Sequence, residues 1–120
     1  MGTSALCGRS ILLVESDPFA ALHAEAGLRQ AGAKVFGVQQ LRDALLMAEY
    51  PALSAAVVAQ RLGTDQTTAV CKRLAYLGVP FILYTRYDAT DARRKWPSAR
   101  VIPKPASATD LIMAVADLLN

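Results

Sequence analysis

A chain of 120 residues, 53% of them apolar, is long enough for one domain with a real core. No apolar run reaches the roughly 18 residues of a membrane span. The start, MGTSALCGRS, lacks the apolar stretch of a signal peptide, and Leu6 stands where a myristoylation motif needs Ser or Thr. These features make the cytoplasm the expected location, with no membrane partner. A formal charge of +3 is too small to argue for nucleic acid, and none is expected as a partner. Cys7, Cys71 and the single histidine, His23, offer neither a disulfide framework nor zinc-ligand spacing.

Residues 1–9 read as a flexible segment ahead of a domain over 10–120. Ile11–Val14 is the first apolar run. Asp17 then stands as a helix N-cap with Pro18 at the first helical position. That helix is predicted to about Ala31, with Ala21, Leu22 and Leu28 inward and Gly32 closing it. Lys34–Val38 reads as a second strand. Leu41–Glu49 is a second helix, packing through Leu41, Ala44, Leu45 and Ala48 and ended by Pro51.

Ala55–Ala59 is the central strand. Its five apolar residues do not alternate with polar ones, which implies that both faces are covered. Gly63–Thr68 reads as a polar loop, and Thr67–Leu77 as a helix using Val70, Cys71, Leu74 and Leu77. Phe81–Tyr84 is the fourth strand. Asp88–Lys95 has little apolar content and reads as a short exposed helix anchored by Trp96. Arg100–Ile102 is a short fifth strand. Ser107, with Asp110 three residues on, resembles a capping box opening a last helix that packs through Leu111, Val115 and Leu118. Five strands alternating with five helices describe a three-layer α/β sandwich around a parallel sheet, wound by right-handed crossovers.

Neither GxGxxG nor GxxxxGK[ST] occurs, which argues against nucleotide binding of those kinds. GxSxG is also missing, and one histidine leaves no serine-hydrolase triad. In parallel sheets of this type, ligands bind at the carboxyl ends of the strands. There the sequence places Glu15-Ser16-Asp17 after the first strand, Ala59 at the end of the third, Thr85 after the fourth, and Lys104-Pro105 after the fifth. Singly, each has a plain structural role. In this order and spacing, they converge on one sheet edge.

From Ser10 to Asn120 this set resembles the receiver domain of bacterial two-component response regulators. The resemblance rests on the acidic residues after the first strand, VPFILYTRY around the fourth and the Lys104-Pro105 turn. It implies a flavodoxin-like (CheY-like) fold with strand order 2-1-3-4-5. In working receivers an acidic pair binds magnesium, and an aspartate ending the third strand accepts phosphate from a kinase histidine. A Thr or Ser after the fourth strand and a Lys after the fifth then contact the phosphoryl group.

Carried over by position, Thr85, Lys104 and Pro105 are retained, the last with an expected cis bond. Glu15 matches the first acidic position. Ser16 replaces the principal metal carboxylate, and Ala59 the phosphoacceptor. Arg86 replaces a small residue at the mouth, and Val101 takes the place of a frequent aromatic. Asp17 matches a third acidic position but, as a cap, is badly aimed for metal. The resemblance is therefore to a degenerate pseudo-receiver. No cofactor is expected, and Mg²⁺ binding is expected to be lost or weak.

The function this implies is non-enzymatic signalling through a protein partner, either a histidine kinase, another regulator or a second copy. Arg93, Arg94, Lys95 and Arg100 make the face around the fourth helix basic and form the candidate interface. The alternatives are a receiver phosphorylated at a substitute residue and, less favoured, a small α/β enzyme using the same crevice. Within the crevice, Lys104 is expected to pair with Glu15, and Arg86 to lie across the mouth within reach of Glu15 or Asp17. The chain carries no segment readable as an effector domain, although a longer parent protein is compatible with the sequence.

Overall fold

The computed structural model describes residues 5–86 and 89–120. Its elements run β1 (Ser10–Val14), α1 (Pro18–Gln30), β2 (Lys34–Val38), α2 (Leu41–Met47), β3 (Ala55–Ala59), β4 (Arg61–Leu62), β5 (Asp65–Gln66), α3 (Thr68–Tyr76), β6 (Phe81–Thr85), α4 (Ala89–Lys95), β7 (Arg100–Pro103) and α5 (Ala108–Leu119). The five long strands form one parallel sheet in the order β2-β1-β3-β6-β7. This is the expected 2-1-3-4-5 arrangement once the small hairpin β4–β5 is counted in the numbering.

The unbroken apolar runs are explained by two cores. Residues of one strand parity, including Ile11, Leu13, Val57 and Ile82, pack with Ala24 and Leu28 of α1 and with Leu111, Ala114 and Val115 of α5. The other parity, including Leu12, Val14, Ala56, Val58 and Leu83, packs with Ala44 of α2, with Val70, Cys71 and Leu74 of α3, and with Ala92 of α4. All five residues of β3 are buried, and likewise of β6. Strands covered on both faces cannot alternate.

The helix ends follow their local chemistry. The Asp17 carboxylate accepts the Phe19 N–H at 3.0 Å with Pro18 next in line, and the Ser107 hydroxyl accepts the Asp110 N–H at 3.0 Å. Trp96 packs edge-on against Phe81, with ring centroids 5.7 Å apart, and anchors the end of α4. The expected start of that helix at Asp88 lies outside the described residues.

Four expectations are corrected. Leu22 is exposed rather than inward. The buried stripe of α1 runs through Ala24, Gly27 and Leu28, and Leu22 sits two residues, about 200°, round from Ala24. Leu77 is also exposed, because it occupies the C-cap beyond the α3 stripe. Residues expected as a plain loop after Gly63 include half of the antiparallel hairpin β4–β5, in which Arg61 pairs with Gln66 and Gly63 supplies a positive φ of 63° at the turn.

The fourth correction concerns the segment set aside as flexible. Leu6 is fully buried in the α1–α5 core, and its N–H donates to the Ala31 carbonyl at 2.9 Å. Gly32 makes room for it: φ is +99°, and a Cβ there would lie 3.0 Å from the Cys7 Cα. The packed domain thus takes in residues on the amino side of Ser10.

Candidate functional site

The carboxyl ends of β1, β3, β6 and β7 open onto a crevice of about 210 Å³. Glu15, Ser16, Asp17, Ala59, Thr85, Arg86 and Lys104 all line it. Parallel strands ending at a common edge bring these residues together from positions far apart in the chain. Pro105 lines the groove next to it and follows a cis peptide bond from Lys104.

Glu15 is 3% exposed and continues β1, its N–H donating to the Val38 carbonyl at 3.1 Å. The Lys104 ammonium, on a side chain 10% exposed, pairs with Glu15 Oε1. Glu15 Oε2 accepts the Asp17 N–H at 3.1 Å. Lys104 is placed by its own N–H, which donates to the Thr85 carbonyl at 2.8 Å, and its Nζ lies 5.2 Å from the centre of the Tyr84 ring.

Arg86 lies at the mouth, where its Nη2 meets Asp17 Oδ2 at 2.5 Å. Asp17 Oδ1 is already committed to the Phe19 N–H. That backbone hydrogen bond is the largest influence holding the Asp17 carboxyl below its ordinary value. The Ala20 N–H and the Arg86 guanidinium act in the same direction, against a desolvation effect. Thr85 donates its hydroxyl to Gln60 Oε1 at 2.8 Å.

All four carboxylate oxygens of Glu15 and Asp17 therefore have a donor. Ser16 offers only a hydroxyl, and Ala59 offers no side-chain oxygen. A magnesium ion requires near-octahedral oxygen ligation, with one or two carboxylates in the set. The donor set present does not fit it. Among the described residues no group of three or more His, Cys, Asp and Glu is arranged to hold a metal ion.

Several crevice residues had not been singled out from the sequence. Gln60 directly follows Ala59, so the strand-end position was a usable signal. Tyr84 precedes Thr85 on β6 and lies under Lys104. Arg61 also lines the crevice, giving three cations against two carboxylates among the described residues. Thr67 tightens the region from below, its hydroxyl donating to the Ala59 carbonyl at 2.7 Å and placed 3.0 Å from that of Gln60.

The basic residues expected as an interface are partly neutralised. Arg94 and Lys95 lie 3.7 and 3.6 Å from Asp91, and Arg100 lies 3.5 Å from Asp117. Arg93 is exposed. None of them lines the crevice. His23 is exposed on α1.

No family model matches the chain, and no curated protein matches it in sequence. Solved structures do. A response regulator receiver protein from Sinorhizobium medicae WSM419 superposes with a TM-score of 0.85 at 25% identity, covering 93% of this chain and 94% of that one. The receiver domain of a sensor histidine kinase from Pseudomonas aeruginosa PAO1, solved with a magnesium ion coordinated in its active-site cleft, gives 0.80 at 25% identity, with 94% and 98% covered. The signal receiver domain of a putative Luxo repressor protein from Vibrio parahaemolyticus gives 0.81 at 21% identity, with 92% and 89% covered. The fold is the flavodoxin-like, CheY-like fold of response-regulator receiver domains. Among the described residues, no helix is long and apolar enough to cross a membrane.

Proposed function

We propose that this protein is a non-catalytic, receiver-like module of a two-component or phosphorelay pathway. It acts by binding a protein partner and is not phosphorylated at the usual site. The neighbouring structures are receiver domains of regulators and of kinases, which supports the signalling setting. The observation that carries the non-phosphorylated reading is Ala59. A methyl group stands at the end of β3, buried and lining the crevice where the fold brings the strand ends together. It has no oxygen to accept a phosphoryl group.

The surrounding pairs support the same reading. Lys104, which in a working receiver would face a phosphoryl group, is engaged by Glu15 instead, and each carboxylate oxygen of Glu15 and Asp17 already accepts from one donor. Weak or absent magnesium binding follows from those engagements. The partner of a module without chemistry of its own is a kinase, a second regulator or a second copy of the chain, in the cytoplasm.

The test is direct. The protein is incubated with acetyl phosphate and Mg²⁺, and its intact mass is measured. No change is expected. A stoichiometric gain of one phosphoryl group refutes the reading and identifies a substitute acceptor by peptide mapping.

A further inference from the structure

The polar crevice has an apolar neighbour. A groove of about 550 Å³ runs beside it between the start of α1 and the turn leading into α5. Its apolar lining comes from Phe19, Ala20, Pro105 and Ala106. Asp17, Tyr84, Arg86 and Lys104 line both cavities, so the Arg86–Asp17 pair is the seam between them.

Two features at this seam ask for an occupant. Phe19 is 84% exposed at the edge of the groove, a large aromatic ring left in water. Arg86 keeps 57% of its side chain exposed, and among the described residues its polar partner is Asp17 through one nitrogen. A guanidinium has five N–H donors in a planar fork suited to a second carboxylate. Lys104 stands beside Arg86 in the lining of the groove, and the groove volume lies within the ~300–1,000 Å³ of small-molecule sites.

We propose that groove and crevice mouth together form a binding site for a small amphiphilic organic anion, an aromatic or acyl carboxylate. Its apolar body lies along Phe19, Ala20 and Pro105, and its carboxylate meets Arg86 at the seam. Charge complementarity sets the orientation, since Arg86 and Lys104 stand at the crevice end of the groove, with Asp17 as the carboxylate beside them, while Phe19, Ala20, Pro105 and Ala106 supply its apolar wall. This goes beyond the signalling reading, and the two fail separately: ligand binding is measured on the unmodified protein without a phosphodonor.

The probe is 1-naphthoate, titrated into ¹⁵N-labelled protein and followed by amide chemical shifts and calorimetry. Saturable binding is expected, with shifts concentrated at Ala20, Tyr84 and Ala106. The neutral isostere 1-naphthamide and inorganic phosphate, which respectively lack the charge and the apolar body, should each bind at least about tenfold more weakly. Phe19→Ala and Arg86→Gln should each weaken naphthoate binding about tenfold. Both replace exposed side chains, and the same spectra report whether the fold is intact. The proposal is overturned if naphthoate fails to saturate at millimolar concentration, or if naphthamide or phosphate binds as well. Affinity unchanged in both variants, or shifts located elsewhere, overturns it too.

Discussion

Replacing Lys104 by Met should destabilise the domain strongly, because it leaves the Glu15 carboxylate without its cation. Glu15 is 3% exposed and Lys104 10%, so water cannot replace the lost partner. Breaking a buried pair from one side costs ~3–5 kcal/mol, against ~0–1 for a pair in water. Glu15→Gln should cost a comparable amount, since it strands the ammonium. The double substitution Glu15→Gln with Lys104→Met removes both charges and should recover most of the loss. Urea unfolding of the four proteins measures this as a double-mutant cycle. With a slope of ~1–3 kcal/mol per molar urea, a single loss of ~3–5 kcal/mol lowers the midpoint by more than ~1 M. Arg86→Gln serves as the exposed reference, because its pair with Asp17 is 57% and 31% exposed and should cost at most ~1 kcal/mol. If both single variants fall within that reference, the crevice is open and wet and the pair does not lock it.

Cys71 is buried, and burial pushes its thiol up to about 12 despite an opposing hydrogen bond with Thr67, whereas Cys7 is exposed. A thiol reagent should therefore titrate one cysteine in the native protein and two in denaturant. The stability contributed by a protonated Cys71 is complete below the ordinary value of 9.0 and is lost as pH rises from there toward 12, because the unfolded thiol ionises first. Cys71→Ala should lose less stability than the parent over that range, and equal slopes would refute the assignment. If the basic face of α4 docks an acidic partner, Arg93→Glu with Arg94→Glu should weaken association with a partner kinase in surface plasmon resonance, and so should raised salt. Binding indifferent to both moves the interface to another face.

The parallel sheet was legible because its signal is covalent and local. Runs such as Ala55–Ala59 and Phe81–Thr85 lack alternation, and each is bounded by a capped helix or by a Gly or Pro. The crevice was legible for the same reason, since strand ends fix which residues meet. Leu6 was not legible. Its burial depends on how the segment crosses Gly32 to reach the α1–α5 core, a contact that no periodicity in a nine-residue start encodes. Leu22 faces water although it is apolar, because it stands about 200° round the helix from Ala24 on the buried stripe. Gln60 and Tyr84 carry no signal in the sequence beyond their places at strand ends. What gives them a place is the geometry of Thr85 and Lys104 above them.

On the proposed reading, the loss of chemistry at this crevice does not rest on Ala59 alone. The Asp17 N–H donates to the Glu15 carboxylate that Lys104 holds, and the Asp17 carboxylate is itself held by Arg86. The two ion pairs are therefore joined through the turn between β1 and α1. They form one four-charge network with two cations and two anions, and each carboxylate oxygen in it has a donor. The Lys104–Glu15 half is buried and costly to break from one side, whereas the exposed Arg86–Asp17 half contributes little to stability. A hard divalent cation entering this site would have to compete with the Lys104 ammonium for Glu15 or with the Arg86 guanidinium for Asp17, and displacing the ammonium leaves a buried cation without a partner. An incoming phosphoryl group at Lys104 would instead compete with Glu15 for the ammonium and leave the buried carboxylate without its cation. Arg86 thus contributes in two directions: its contact with Asp17 lies across the mouth of the inner crevice, while its exposed face gives the outer groove a cation.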